Sequence, residues 1–173
     1  MKEWTPAAAA LTDLILELFR VNGDLISEGD RIAGEFGQSS ARWQVLGAIA
    51  EQVRTVPGIA REMGLTRQSV QRTVDVLESE GIVEYLDNPE HRRSRLIGMT
   101  ARGREIYRKI YVRQVQWANG LAAGLPVGER DIRRALILLQ HLRARLEAPG
   151  TSGREMNRRG NAEKSSMGRK ARR

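Results

Sequence analysis

The 173-residue sequence contains no cysteine, which removes disulfides, thiolate catalysis, cysteine-ligated zinc and thiol redox sensing together. The default compartment is therefore a reducing one. Histidine is almost as scarce: the only two, His91 and His141, are too few for a metal site, and neither a metal nor a cofactor is expected. No stretch approaches the ~18 uninterrupted apolar residues of a membrane span. The Ala-rich start is broken by Asp13 and Glu17 before it forms a signal-peptide core. A soluble, cytoplasmic protein is the expectation. The Gly98 to Gly103 spacing imitates a phosphate loop but offers Arg104-Glu105 where Lys-Ser/Thr is required, and His141 sits beside Leu142 in an amphipathic stretch. Nothing in the sequence supports catalysis, so no enzyme is expected.

The length suits one domain of ~100 to 150 residues plus a tail. Apolar residues make up 40% and charged residues 29%, so the chain as a whole is not disordered. Its formal charge of +8 favours a polyanionic partner such as nucleic acid. That charge is unevenly placed. Residues 149–173 hold eight basic and two acidic side chains, net +6, which leaves +2 for the rest. Few large apolar residues occur beyond 147, so 148–173 reads as a basic disordered tail, either an arm on DNA phosphates or a solvated end.

Residues 1–147 divide by period. Thr5-Pro6 caps and opens a helix, and Leu11, Leu18, Leu25 and Ile32 recur every seven residues to about Phe36. Asn22-Gly23 is a turn signal inside that stripe, but one long, locally weakened helix over about 5–36 is favoured. A second helix is predicted from about Ser40, with Trp43 and Leu46 on one face. Thr55-Val56-Pro57 starts a short helix that Gly64 closes, and Thr66 at once caps another with the stripe Val70, Val74 and Leu77. Two short helices across so tight a turn form a helix-turn-helix pattern. After Gly81, the runs 83–86 and 95–99 flank Asn88-Pro89 as a small hairpin, or wing. Thr100 caps a further helix, and the last helix, about 127–147, follows Leu125-Pro126.

The first and last helices carry more leucine and isoleucine than one small winged-helix unit over about 40–100 can cover. Association of two chains through Leu11, Leu18, Ile132, Leu136, Leu139, Leu142 and Leu146 is the expected sink for that surface. The fold class expected is thus mainly α: a winged helix-turn-helix with N- and C-terminal dimerisation helices and a β-hairpin wing.

The order of elements, with Val56-Pro57-Gly58-Ile59-Ala60-Arg61-Glu62-Met63-Gly64-Leu65-Thr66-Arg67-Gln68-Ser69-Val70, then Leu77-Glu78-Ser79-Glu80-Gly81-Ile82-Val83, then Asn88-Pro89-Glu90-His91-Arg92-Arg93 and Met99-Thr100-Ala101-Arg102-Gly103, resembles the MarR family of transcriptional regulators. The likeness runs from about residue 5 to 147. One departure is His91, two residues before Arg93, where the family's wing usually has an Asp. An Asp would orient the arginine by a charged hydrogen bond, whereas a protonated His91 would repel it.

With Val70, Val74 and Leu77 inward, the 100° helical step sends Gln68, Gln71, Arg72 and Asp75 outward, with Ser69 on the flank. Gln can bond adenine bidentately, and Arg can fork onto guanine in the major groove. Thr66 and Arg67 sit at the helix start, where Arg67 suits a phosphate. Arg92, Arg93 and Arg95 cluster at the wing, and a narrow minor groove attracts arginine. The resemblance points to Arg93 as the inserted residue. It also implies a homodimer on an inverted-repeat operator, repression by occlusion, and a small aromatic or anionic effector, with Arg42 and Trp43 as candidate pocket residues. The rival expectation is a non-specific architectural or RNA-binding protein driven by the basic tail.

Overall fold

Side-chain caps set the helix starts wherever threonine or serine precedes an apolar stripe. In the computed structural model, which describes residues 3–91 and 94–148, Thr5 accepts from the Ala8 amide at 3.2 Å and Pro6 opens α1 (Pro6–Gly34). This helix runs unbroken through Asn22-Gly23. A glycine inside a helix costs about 1 kcal/mol, which the neighbouring turns absorb. Ser39 caps α2 (Ser40–Ala48), Thr55 caps α3 (Val56–Met63) and Thr66 caps α4 (Arg67–Ser79). Each hydroxyl accepts from the amide three residues on. Between α3 and α4, Gly64 adopts φ 66°, a left-handed conformation that a side chain would strain, and the turn is complete within three residues. Thr100 then accepts from the Gly103 amide at 3.1 Å at the start of α5 (Ala101–Gly124).

Three short strands, β1 (Arg54–Thr55), β2 (Val83–Leu86) and β3 (Leu96–Met99), form an antiparallel sheet in the order β1-β3-β2. Val83 lies opposite Met99 and Leu86 opposite Leu96, which makes β2 and β3 the wing hairpin. The strand β1 adds an edge that periodicity does not announce, because two residues are too few to alternate.

The core gathers Leu46 from α2, Ile59 from α3, Val70, Val74 and Leu77 from α4 and Ile97 from β3, none more than 1% exposed. Ile32 and Ala33 of α1 meet Ile110 of α5 in a second cluster with Phe36, Trp43, Ile106 and Trp117. At Gly103 the α5 backbone lies against the turn after α4, where an added Cβ would fall on the Ile82 carbonyl oxygen. The chain divides after Gly120 into two units. In the second, α6 (Glu129–Glu147) has Glu129 and Asp131 in its first turn and Arg145 in its last, each favourable to the helix dipole, and buries none of its residues. The described residues thus form a mainly helical fold with a small antiparallel sheet, the winged helix-turn-helix class.

Candidate nucleic-acid interface

Helix α4 presents one face inward and leaves the other in solvent. Burying Val70, Val74 and Leu77 turns Arg67, Gln68, Ser69, Gln71 and Arg72 outward, and all five are exposed. Thr66 is also exposed, but its hydroxyl is engaged as the cap, accepting from the Ser69 amide at 3.1 Å. Its contribution is therefore to fix where the helix begins.

The wing faces the same side. A cleft of about 500 Å³ is lined by Arg67, Gln68 and Gln71 of α4 and by Tyr85, Ser94 and Arg95 of the hairpin. Arg95 donates to the Tyr85 carbonyl oxygen at 2.8 Å and lays its guanidinium 4.9 Å from the centroid of the Tyr85 ring, which holds this cation at the wing base. The other two wing arginines of the sequence reading, Arg92 and Arg93, lie outside the described residues. Asn88 closes the hairpin loop by donating to the Ser94 carbonyl at 2.8 Å while its side-chain oxygen accepts from the Glu90 and His91 amides.

Tyr85, which lines this cleft, also meets Asp75, a residue that faces outward in the helical reading. Gln71 Nε2 donates to Asp75 Oδ1 at 2.7 Å and to the Tyr85 hydroxyl at 2.7 Å. That hydroxyl donates in turn to Asp75 at 3.0 Å. Partial burial raises the Tyr85 pKa, and the hydrogen bond to Asp75 adds to the effect, so the hydroxyl keeps its proton. The i,i+4 spacing of Gln71 and Asp75 is visible in the sequence. The Tyr85 contact is tertiary and is not.

A second cavity, about 420 Å³, is lined by Trp43, Met63, Tyr107 and Trp117 together with Gln44 and Glu62. Trp43 lines it, but Arg42 does not. Successive residues on a helix diverge by about 100°, so the neighbours in sequence point apart. Arg42 instead forks onto the Glu80 carboxylate at 3.1 and 2.9 Å, tying α2 to the end of α4. Glu62 pairs with Arg54 of β1 at 2.9 Å. Burial raises the pKa of Tyr107, a lining residue, with the neighbouring Tyr111 a smaller cause, so its hydroxyl stays neutral.

The candidate dimerisation residues are accessible in the single chain. Leu11 of α1 is exposed and Leu18 half-buried. On α6, Ile132, Leu136 and Leu146 are exposed, while Leu139 and Leu142 are half-buried. Residues 149–173, the basic segment of the sequence reading, lie outside the described residues. No described helix is long and apolar enough to cross a membrane.

A capped helix after a tight turn, beside an arginine-bearing hairpin, defines the DNA-binding winged helix-turn-helix regulators. The MarR family model matches residues 36–94. The uncharacterized protein Rv2011c of Mycobacterium tuberculosis is 35% identical over 132 residues, which span 73% of this chain and 92% of that one. The chain belongs to the MarR family of transcriptional regulators. Among solved structures, CouR from Rhodococcus jostii RHA1 bound to p-coumaroyl-CoA is 26% identical with a TM-score of 0.67, covering 75% of this chain and 91% of that one. The M. tuberculosis regulator MOSR in complex with DNA shares the fold at 22% identity and a TM-score of 0.63, covering 75% and 96%.

Proposed function

We propose that the chain is a sequence-specific double-stranded DNA-binding regulator that acts as a homodimer on an inverted repeat. The observation that carries this reading is the cleft in which Arg67, Gln68 and Gln71 of α4 face Arg95 of the wing. Amide and guanidinium groups are the side chains that read base edges in the major groove, which admits a helix. Ser69 and Arg72 extend the reading face, with Thr66 as its cap and Arg67 on phosphate. At the wing, Arg95, with Arg92 and Arg93, supplies cations suited to a narrow minor groove. A neighbour of the same fold was solved in complex with DNA, which supports DNA as the partner. Exposed apolar side chains on α1 and on α6 support pairing of two copies, since a soluble single chain rarely leaves such surface uncovered. Repression by occlusion of a promoter is the output assigned, and the role is regulatory rather than catalytic.

The aromatic cavity is the proposed effector site. Its volume falls within the roughly 300–1,000 Å³ of small-molecule pockets, and Trp43, Tyr107 and Trp117 suit a flat aromatic ligand. With Arg42 held by Glu80, an anionic group would lack the counter-charge that the sequence suggested. A ligand between α1, α5 and the helix-turn-helix would favour a head spacing that no longer fits the operator, for which a few kcal/mol of differential affinity suffices.

Selection of bound fragments from random duplex DNA at physiological salt tests the reading. An imperfect palindrome with half-site centres about one helical turn apart is the expected winner. A pool without enrichment would instead favour the architectural alternative.

A further inference from the structure

As a glutamine, Gln71 has both a donor and an acceptor to offer a base, but the folded chain has already used the donor. A carboxamide nitrogen carries two hydrogens. One goes to Asp75 Oδ1 and the other to the Tyr85 hydroxyl, both at 2.7 Å. The orientation of the amide follows from chemistry, because an ionised carboxylate only accepts and so must face the nitrogen. Tyr85 completes the triangle by donating its own proton to Asp75 at 3.0 Å. Among the described residues nothing donates to Gln71 Oε1. Gln71 thus meets the groove as an acceptor alone.

We propose that Tyr85 is a specificity-determining positioning residue: with Asp75 it holds both amide hydrogens of Gln71, so that Gln71 selects a base bearing an exocyclic amino group. In the major groove the amino donors are adenine N6 and cytosine N4, whereas guanine O6 and thymine O4 are acceptors that would face Oε1 unfavourably. The hydrogen bond to the Asp75 carboxylate is charge-assisted, so a neutral base acceptor competes poorly for that hydrogen. Arg95 stacks on the same Tyr85 ring, so the wing and the reading helix share one anchor. This inference rests on the proposed docking of α4 in the major groove.

The test uses the full chain and duplexes carrying each base in turn at every position of the selected site, measured at two salt concentrations. For the unaltered chain, one position per half-site should favour adenine and cytosine over guanine and thymine by about tenfold, the size of one hydrogen bond made or left unpaired. Gln71→Ala should flatten that position. Tyr85→Phe keeps the ring under Arg95 but releases one amide hydrogen, which restores the donor-acceptor pair that adenine takes bidentately. Adenine should then rise several-fold above cytosine at that position alone, with an unchanged salt slope. If Gln71→Ala flattens a position whose base ranking Tyr85→Phe leaves alone, the role of Tyr85 is overturned while the docking stands. An equal loss on all sequences with Tyr85→Phe also overturns it, in favour of a structural role. No change of ranking with Gln71→Ala would overturn the base contact of Gln71 and with it this proposal, whereas an unaltered chain with no base preference at any position would sink the docking of α4 itself.

Discussion

Arg72 of α4 and Thr66, the cap of that helix, lie six residues apart and are expected to fail in different ways. Arg72 is exposed, and truncation to alanine should cost ~1 to 3 kcal/mol of binding and relax preference at one base position, leaving thermal stability nearly unchanged. Titration against single-base variants of the selected site checks this. Thr66 holds the Ser69 amide at 3.1 Å, so Thr66→Ala removes a cap worth about 1 kcal/mol of folding stability, which a denaturant midpoint reads. Single residues are also where the sequence is least legible. The outward set Arg67, Gln68, Ser69, Gln71 and Arg72 follows from the stripe Val70, Val74 and Leu77, because a helical step fixes both faces at once. The pairing of Gln71 with Tyr85 does not follow, since it joins a helix to a strand. Nor does the divergence of Arg42 from Trp43, which becomes visible only once Glu80 is in place to receive the guanidinium.

At the scale of elements, the α3–α4 turn and the wing hairpin are set by local chemistry that a sequence displays: a threonine cap, an early proline, a left-handed glycine and two short apolar runs. The two-residue strand β1 is legible only through its partner, as Arg54 pairs with Ile97 and Thr55 with Leu96. The close approach at Gly103 likewise depends on the assembled fold. Its α5 backbone rests on the Ile82 carbonyl, so Gly103→Ala must push α5 away from the turn that ends α4. Overpacking at a well-filled site costs ~1 to 3 kcal/mol, and a backbone oxygen yields less readily than a side chain, so the upper end is expected. A thermal melt would show the destabilisation. An unchanged midpoint would mean that α5 is held less closely there than the structure has it.

At the scale of the whole molecule, two copies are needed for an inverted repeat to be read. The chain should sediment as a dimer of its 19.4 kDa mass, and Leu136→Asp, which puts a carboxylate on an exposed apolar position of α6, should shift it toward single chains. The paired state should also carry the sequence preference, so the same substitution should reduce binding to the palindrome far more than to a half-site. The basic segment 149–173 is either an arm on phosphates, which would add affinity without choice of sequence, or a solvated end, which would add none. In the first case, ending the chain after Glu147 should lower the salt slope by up to ~0.9 for each phosphate that the segment no longer neutralises.

That shortened chain offers the most direct measurement of whether α4 and the wing, rather than the charged tail, choose the DNA. Competition between the selected palindrome and a scrambled duplex at physiological salt gives one ratio. The account predicts that the ratio stays at roughly 10³ or more when the tail is gone, with any loss of affinity shared by both duplexes. A ratio falling to one would contradict it, because discrimination would then reside in residues that carry only charge.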